Sequence, residues 1–357
     1  MRRAQRRALA IGVLAGLAML SGCSTPGNDP TMSSTEAAAA VGEVAAAVGR
    51  FSGAAEGELE QAALQRLLAA PLQITVEVDR LPRGVFALDD STGDWLLLEP
   101  ANVLELHWAF DQRGKHDAVL RVDWTADAPS TIVKLEDGSN HEAPQGAAAE
   151  LHIDGQAVGE LAFGGRYALN ECGYSEPVRV DLDGDLGDDD QRLELRDFTM
   201  ALEKGADTTF TSSGEVAVSA DDDRLTLDWQ VSLSGDVARD ESCHLVDASV
   251  SSGEATVGVA ADVFGQQHSL RFGAGFSDIE VDEGGISSIA LVDGRIHLDG
   301  LLAVAFDGVL DDANGNGIPG ENLVLTFAHG ETMTLEEFLQ RHVPGLARAL
   351  NIGALLR

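Results

Sequence analysis

Positive charge is scarce in this chain. Its 357 residues carry 24 Lys and Arg against 59 Asp and Glu, a formal net charge of −35, and only Lys115, Lys134 and Lys204 are lysines. Such a field repels nucleic acid and anionic lipid headgroups, so no nucleic-acid partner is expected. After Leu20 no apolar run reaches the length of a spanning helix. Catalytic signatures are missing as well. The nine histidines form no H-E-x-x-H and no H-x-H, and no G-x-S-x-G elbow exists to nominate a hydrolase serine. Cysteine is limited to Cys23, Cys172 and Cys243. Neither of the last two has a Cys or His at metal-ligand spacing, apart from His244 adjacent to Cys243.

What is present begins at the N-terminus. Arg2, Arg3, Arg6 and Arg7 precede the apolar run Leu9 to Leu20, and small residues then lead to a cysteine in Leu20-Ser21-Gly22-Cys23. This order is that of an export signal, too short and too early for a membrane span. It resembles the lipobox of bacterial lipoproteins. The resemblance implies that residues 1–22 are a signal peptide and that Cys23 becomes a lipidated mature N-terminus, a palmitate-type membrane anchor. It also implies a cell-envelope location, with the outer membrane favoured where the host has one, because Ser24 rather than Asp follows the cysteine. In an exported chain the remaining pair, Cys172 and Cys243, reads as one disulfide.

Residues 23–32, with Pro26, Gly27 and Pro30, form a flexible tether. An Ala-rich helical segment over 33–71 opens on the capping box Ser33-Ser34-Thr35-Glu36, places Val41, Val44, Val48 and Phe51 on one face, and resumes near Glu58 to Ala69. From Leu72 the period becomes two. Leu104, Leu106, Trp108 and Phe110 alternate with polar neighbours, as do Leu225, Leu227, Trp229, Val231 and Leu233. Alternation this regular predicts antiparallel strands with one face on a core and one face wet. Turn signals fall at Asp90 to Gly93, Asp137-Gly138, Asp154-Gly155, Asp221 to Asp223 and Asp293-Gly294. A parity flip at Arg196-Asp197 predicts a bulge. The repeated Ser212-Ser213-Gly214-Glu215 and Ser251-Ser252-Gly253-Glu254 each stand ahead of a strand. A second capping box, Thr334-Leu335-Glu336-Glu337, opens a C-terminal helix within 331–357. The expected fold is mainly β: a long antiparallel meander over 72–330, as twisted sheet, half-barrel or sandwich, with short helices at both ends.

The sharpest chemical signal is Asp312-Ala313-Asn314-Gly315-Asn316-Gly317-Ile318-Pro319-Gly320-Glu321. Oxygen side chains at alternate positions followed by a glycine turn are how short loops wrap calcium. The stretch looks like the calcium repeats of extracellular proteins, which implies ligands from Asp312, Asn314, Asn316, the Ile318 carbonyl and Glu321. Leu323 stands where an EF-hand has its bidentate acid, and the competing account is a plain polar turn. The same residues match G-x-G-x-x-G, but a dinucleotide site needs a helix after it, and Leu323 to Phe327 read as a strand. Asp181, Asp183 and Asp185 lie along one strand face, about 6.5 Å apart and too spread to share one ion. The expected function is non-catalytic, either binding or structural, with no required cofactor. The alternatives are an envelope hydrolase using an acidic pair in a β cleft, or a carrier of an apolar ligand on the concave face of the sheet.

Overall fold

The computed structural model describes residues 29–54, 62–63, 66–67, 81–124, 130–135, 138–187, 191–204, 207–239, 245–282, 285–315 and 320–342. Cys23, Cys243, Asn316 and Ile318 lie outside them. So does most of the second helical piece. The protein is mainly β, a long, mostly antiparallel meander. Sixteen strands follow one another in a single sheet, and a two-stranded sheet stands apart. The chain divides into two compact units, one holding Gly53–Leu202 with Gly214–Asp221, the other Met1–Ser52, Glu203–Ser213 and Asp222–Arg357.

Helix α1, Ser34–Ala54, begins as the capping box requires. The Ser33 N–H donates to Glu36 Oε2 at 2.8 Å, and the Glu36 N–H donates back to Ser33 Oγ at 3.3 Å. A second acid helps from far along the chain: Ser34 donates through its N–H and its hydroxyl to Glu331, at 3.1 and 2.6 Å. Ala37, Ala38 and Val44 are buried. Their small side chains let the helix lie close on a sheet.

The first unit starts with β1 (Gly84–Leu88), β2 (Trp95–Glu99), β3 (Leu104–Asp111) and β4 (Lys115–Asp123). One pairing here departs from the antiparallel order of the meander. β1 sits between β2 and β3 and runs parallel to β3. A period-two pattern states which residues share a face, not which strand lies alongside or in which direction. β5 (Ser130–Lys134) and β6 (Asn140–Pro144) make the separate hairpin, and β4 pairs past them with β7 (Gly146–Ile153). β8 (Gln156–Leu169), β9 (Ser175–Gly187) and β10 (Gln191–Lys204) continue antiparallel. The core gathers Phe86, Trp95, Leu104, Leu106, Trp108 and Phe110. Trp95 meets Trp108 edge to face at 6.4 Å, a favoured aromatic geometry, and the Trp108 indole N–H donates to the Ala63 carbonyl at 3.2 Å.

The second unit holds the longest strands. After β11 (Thr208–Ala220) come β12 (Asp223–Arg239), β13 (Leu245–Val263), β14 (Gln266–Asp282), β15 (Gly285–Leu298), β16 (Leu301–Asp311), β17 (Asn322–Thr326) and β18 (Thr332–Thr334). Helix α2, Leu335–His342, follows β18 directly, so the segment after residue 331 opens with a short strand rather than with helix. Its capping box forms, with the Glu337 N–H donating to Thr334 Oγ1 at 3.1 Å. Apolar rows cross the strands: Trp229 stands opposite Val257, Val257 opposite Phe272, and Phe272 opposite Ile296. Phe272, Leu298, Phe306, Phe327 and Phe338 pack with Ala37 and Ala38 of α1.

Two sequence signals land differently from the expectation. Asp293-Gly294 is no turn; it lies inside β15, where the register shifts between Leu291 and Gly294. Asp293 takes φ 54, its N–H donates to Asp307 Oδ1 at 2.8 Å, and a Cβ on Gly294 would sit 2.1 Å from the Phe306 ring. The two Ser-Ser-Gly-Glu stretches lie within β11 and β13 rather than ahead of strands. The flip at Arg196-Asp197 is a bulge, with the β9–β10 register shifting between Leu195 and Phe198.

Candidate functional site

One apolar face of the first unit crosses from covered to open without changing its sequence character. Leu106 of β3 stands opposite Leu120, Leu120 opposite Leu151 and Leu151 opposite Gly159. Gly159 stands opposite Leu186 and Leu186 opposite Leu193. Along that row Leu106 and Leu151 are buried, Leu186 is half-buried and Leu193 is exposed. The next rows behave alike. Phe163, Leu182 and Phe198 face one another half-buried, while Leu161 and Met200 on the same side are exposed. Leu161 and Leu186 lie across two glycines on this face. A Cβ on Gly184 would come 3.0 Å from Leu161 Cδ1, and one on Gly159 would come 2.9 Å from Leu186 Cδ1. The result is a low apolar strip along β8, β9 and β10.

The opposite side of the same strands is polar and internally paired. Arg179 contacts Asp181 at 2.7 Å, and the Thr199 hydroxyl donates to the same carboxylate at 2.8 Å. Arg192 contacts Asp185 at 2.8 Å, and Asp183 accepts the Asp197 N–H at 2.6 Å. The Arg179 guanidinium is the main reason the Asp181 carboxyl lies below its ordinary range. These three acids therefore each have their own donor, as their strand-face spacing predicts, and do not converge.

The stretch that resembles calcium repeats joins β16 to β17 in the second unit. The Asn314 N–H donates to Glu321 Oε1 at 2.8 Å, the Gly315 N–H to the Asp312 carbonyl at 3.1 Å, and the Gly320 N–H to the Asp311 carbonyl at 2.8 Å. Two carboxylate oxygens here, Asp311 Oδ1 and Glu321 Oε2, are buried with no hydrogen-bond partner among the described residues. Such an orphan is costly, which makes both oxygens suited to a cation. Two acids absent from the sequence-based set enter the neighbourhood. Asp311 is one. Glu336, in the first turn of α2, accepts the Asn314 side-chain amide at 3.4 Å. Asp311 closes β16 just before the stretch that the sequence pattern singles out, and Glu336 is brought in by tertiary structure. No group of three or more His, Cys, Asp or Glu disposed for a metal occurs among the described residues.

Cys172 occupies the turn between β8 and β9, where its N–H donates to Asn170 Oδ1 at 3.0 Å. Its expected pairing with Cys243 lies outside the described residues. Among those residues no helix is long and apolar enough to cross a membrane, which says nothing of anchoring by lipid. Compared with protein-family models, curated proteins and solved structures, the chain matches none.

Proposed function

We propose that this chain is a lipid-anchored cell-envelope protein with a non-catalytic role, carrying an apolar ligand on the strip formed by β8, β9 and β10. The observation behind this reading is the row from Leu106 to Leu193, whose apolar character outlasts its cover. A face meant for water would carry polar residues, as the reverse side of these strands does. Anchoring through Cys23 supplies the location and rests on the lipobox resemblance; Cys23→Ala should lose lipid labelling and membrane association. A long acyl chain laid on one face loses about half the hydration of each methylene, roughly 0.4 kcal/mol apiece. After the cost of immobilisation, an affinity no tighter than about 100 µM is expected. The test is titration of the Cys23→Ser chain with a fluorescent long-chain fatty acid. Leu161→Glu with Met200→Glu should weaken binding by roughly tenfold or more with little change in melting temperature, since both side chains are already exposed. Equal binding by wild type and variant refutes the ligand strip.

A second reading concerns the loop between β16 and β17, and the two partnerless oxygens favour it. Calcium held by Asp311, Asp312, Glu321 and loop oxygens would brace this turn against the start of α2. Its role there is structural.

A further inference from the structure

Strand β2 reads as an interior strand but stands at an edge. Trp95-Leu96-Leu97-Leu98 is an unbroken apolar run, the pattern of a strand covered on both faces and paired on both sides. In the sheet order β2 is terminal, with β1 alongside and no strand on its outer edge among the described residues. Leu96, Leu97 and Leu98 are 50%, 56% and 62% exposed. Leu97 lies opposite Phe86 on the core side, and Leu96 and Leu98 point to the other side. Leu96 to Leu98 are thus apolar on both faces, at a backbone edge with no further strand beside it among the described residues.

Natural edges are blunted by shortness, charge or proline. The opposite terminal strand, β18, follows that rule with only Thr332, Met333 and Thr334. β2 does not: its one charged residue is Glu99 at the very end. We propose that β2 is a docking edge for an extended segment of another protein, apolar at alternate positions and flanked by Lys or Arg.

The flanking charge selects that occupant. Asp89, Asp90 and Asp94 stand in the turn that leads into β2, and Glu99 closes it. A second copy pairing antiparallel would bring Asp94 of each chain beside Glu99 of the other, on top of a net charge of −35 apiece. Like charges placed so close disfavour that pairing. A partner with basic flanks meets carboxylates at both ends, and its backbone completes the ladder while its alternate side chains lie beside the leucines.

The experiment uses the full mature chain with Cys23→Ser and a labelled peptide, Lys-Lys-Val-Thr-Val-Thr-Val-Lys-Lys, followed by anisotropy at physiological salt. Binding is expected, with slowed amide exchange at Leu96 to Glu99. Leu96→Lys with Leu98→Lys should weaken it about tenfold or more, as natural edge charges do. Replacing the central Val of the peptide by Pro, which removes a ladder donor, should have a similar effect. Equal binding of the Pro peptide overturns the proposal, because attraction is then charge alone. So does unchanged amide exchange on the wild-type chain, a readout that needs no variant to fold. A concentration-dependent dimer broken by the double variant assigns the edge to a second copy instead. Adsorption to zwitterionic vesicles lost in that variant assigns it to a lipid surface.

Discussion

Aspartate in this protein is as much a backbone ligand as a surface charge. The Asp117 N–H donates to Asp154 Oδ1 at 3.0 Å, Asp197 to Asp183 at 2.6 Å, Asp293 to Asp307 at 2.8 Å and Ser269 to Asp299 at 2.7 Å. In each bond a carboxylate satisfies an amide that a turn or bulge has freed from the ladder. The Asp154 case adds a histidine. His116 Nδ1 lies 2.7 Å from Asp154 Oδ2, Nε2 lies 3.0 Å from the Gln112 carbonyl, and the ring stacks on Phe110 at 5.4 Å. The hydrogen bond to Asp154 raises the His116 pKa above its ordinary value. The Asp117 amide, followed by His116, lowers that of Asp154. A raised His stabilises fully below its unfolded pKa and ceases to as pH rises through the folded one. A lowered Asp stabilises fully above its unfolded pKa and ceases to as pH falls through the folded one. The pair is therefore at full strength between about pH 4 and about pH 6.5. Following the His116 ring protons by NMR should show the titration moving to lower pH in Asp154→Asn. An unmoved midpoint contradicts the pairing. Sequence shows these acids without showing their use. Asp154-Gly155 and Asp293-Gly294 are the same dipeptide with the same positive φ at the aspartate. Only Asp307 and the Phe306 ring, both on the neighbouring strand, make the second one a bulge.

At the scale of elements, alternation told which residues share a face but not what covers it. Val180, Leu182 and Leu186 share the face of Leu106. The cover over β3 and β4 depends on residues such as Ala63, distant in sequence, so the uncovered length of β8 to β10 could not be read locally. The hairpin tip at Asp154-Gly155 was legible, and Asp299-Gly300, not among the turn signals, has the same form. Asp154-Gly155 and Asp299-Gly300 have φ 51 and 81, then 48 and 78, the paired left-handed conformations of a tight hairpin. The β13–β14 tip breaks the habit. Phe264 takes φ 54 before Gly265 at φ 72, and its ring is 80% exposed. A left-handed aromatic residue is strained by about 1 kcal/mol, whereas Asn adopts that conformation readily. Phe264→Asn should therefore raise the melting temperature by a few degrees in calorimetry. A fall would mean that the ring holds something in the folded state beyond this turn.

For the whole molecule the governing quantity is charge. At −35 the folded chain repels itself, and salt should relieve this, because the screening length shrinks to about 10 Å at 0.1 M. Melting temperature should thus climb with sodium chloride, and calcium added carelessly would produce the same climb through diffuse attraction. The proposed loop can be separated from that background by Glu321→Gln. The substitution keeps Oε1, which accepts the Asn314 N–H, and removes the charge shared with the buried, partnerless Oε2. Without calcium, a buried carboxylate oxygen that accepts no hydrogen bond is a burden, so the variant should melt at or above the wild-type temperature. With millimolar calcium at fixed ionic strength, the wild type gains the free energy of a ligand bound only when folded, and the variant gains only the diffuse part. The order of the two melting temperatures should therefore reverse between chelator and calcium. Screening acts on both proteins alike and cannot cause a reversal. If Glu321→Gln shifts the melting temperature equally in both conditions, the residues from Asp311 to Glu321 are a polar turn whose acids serve no ion.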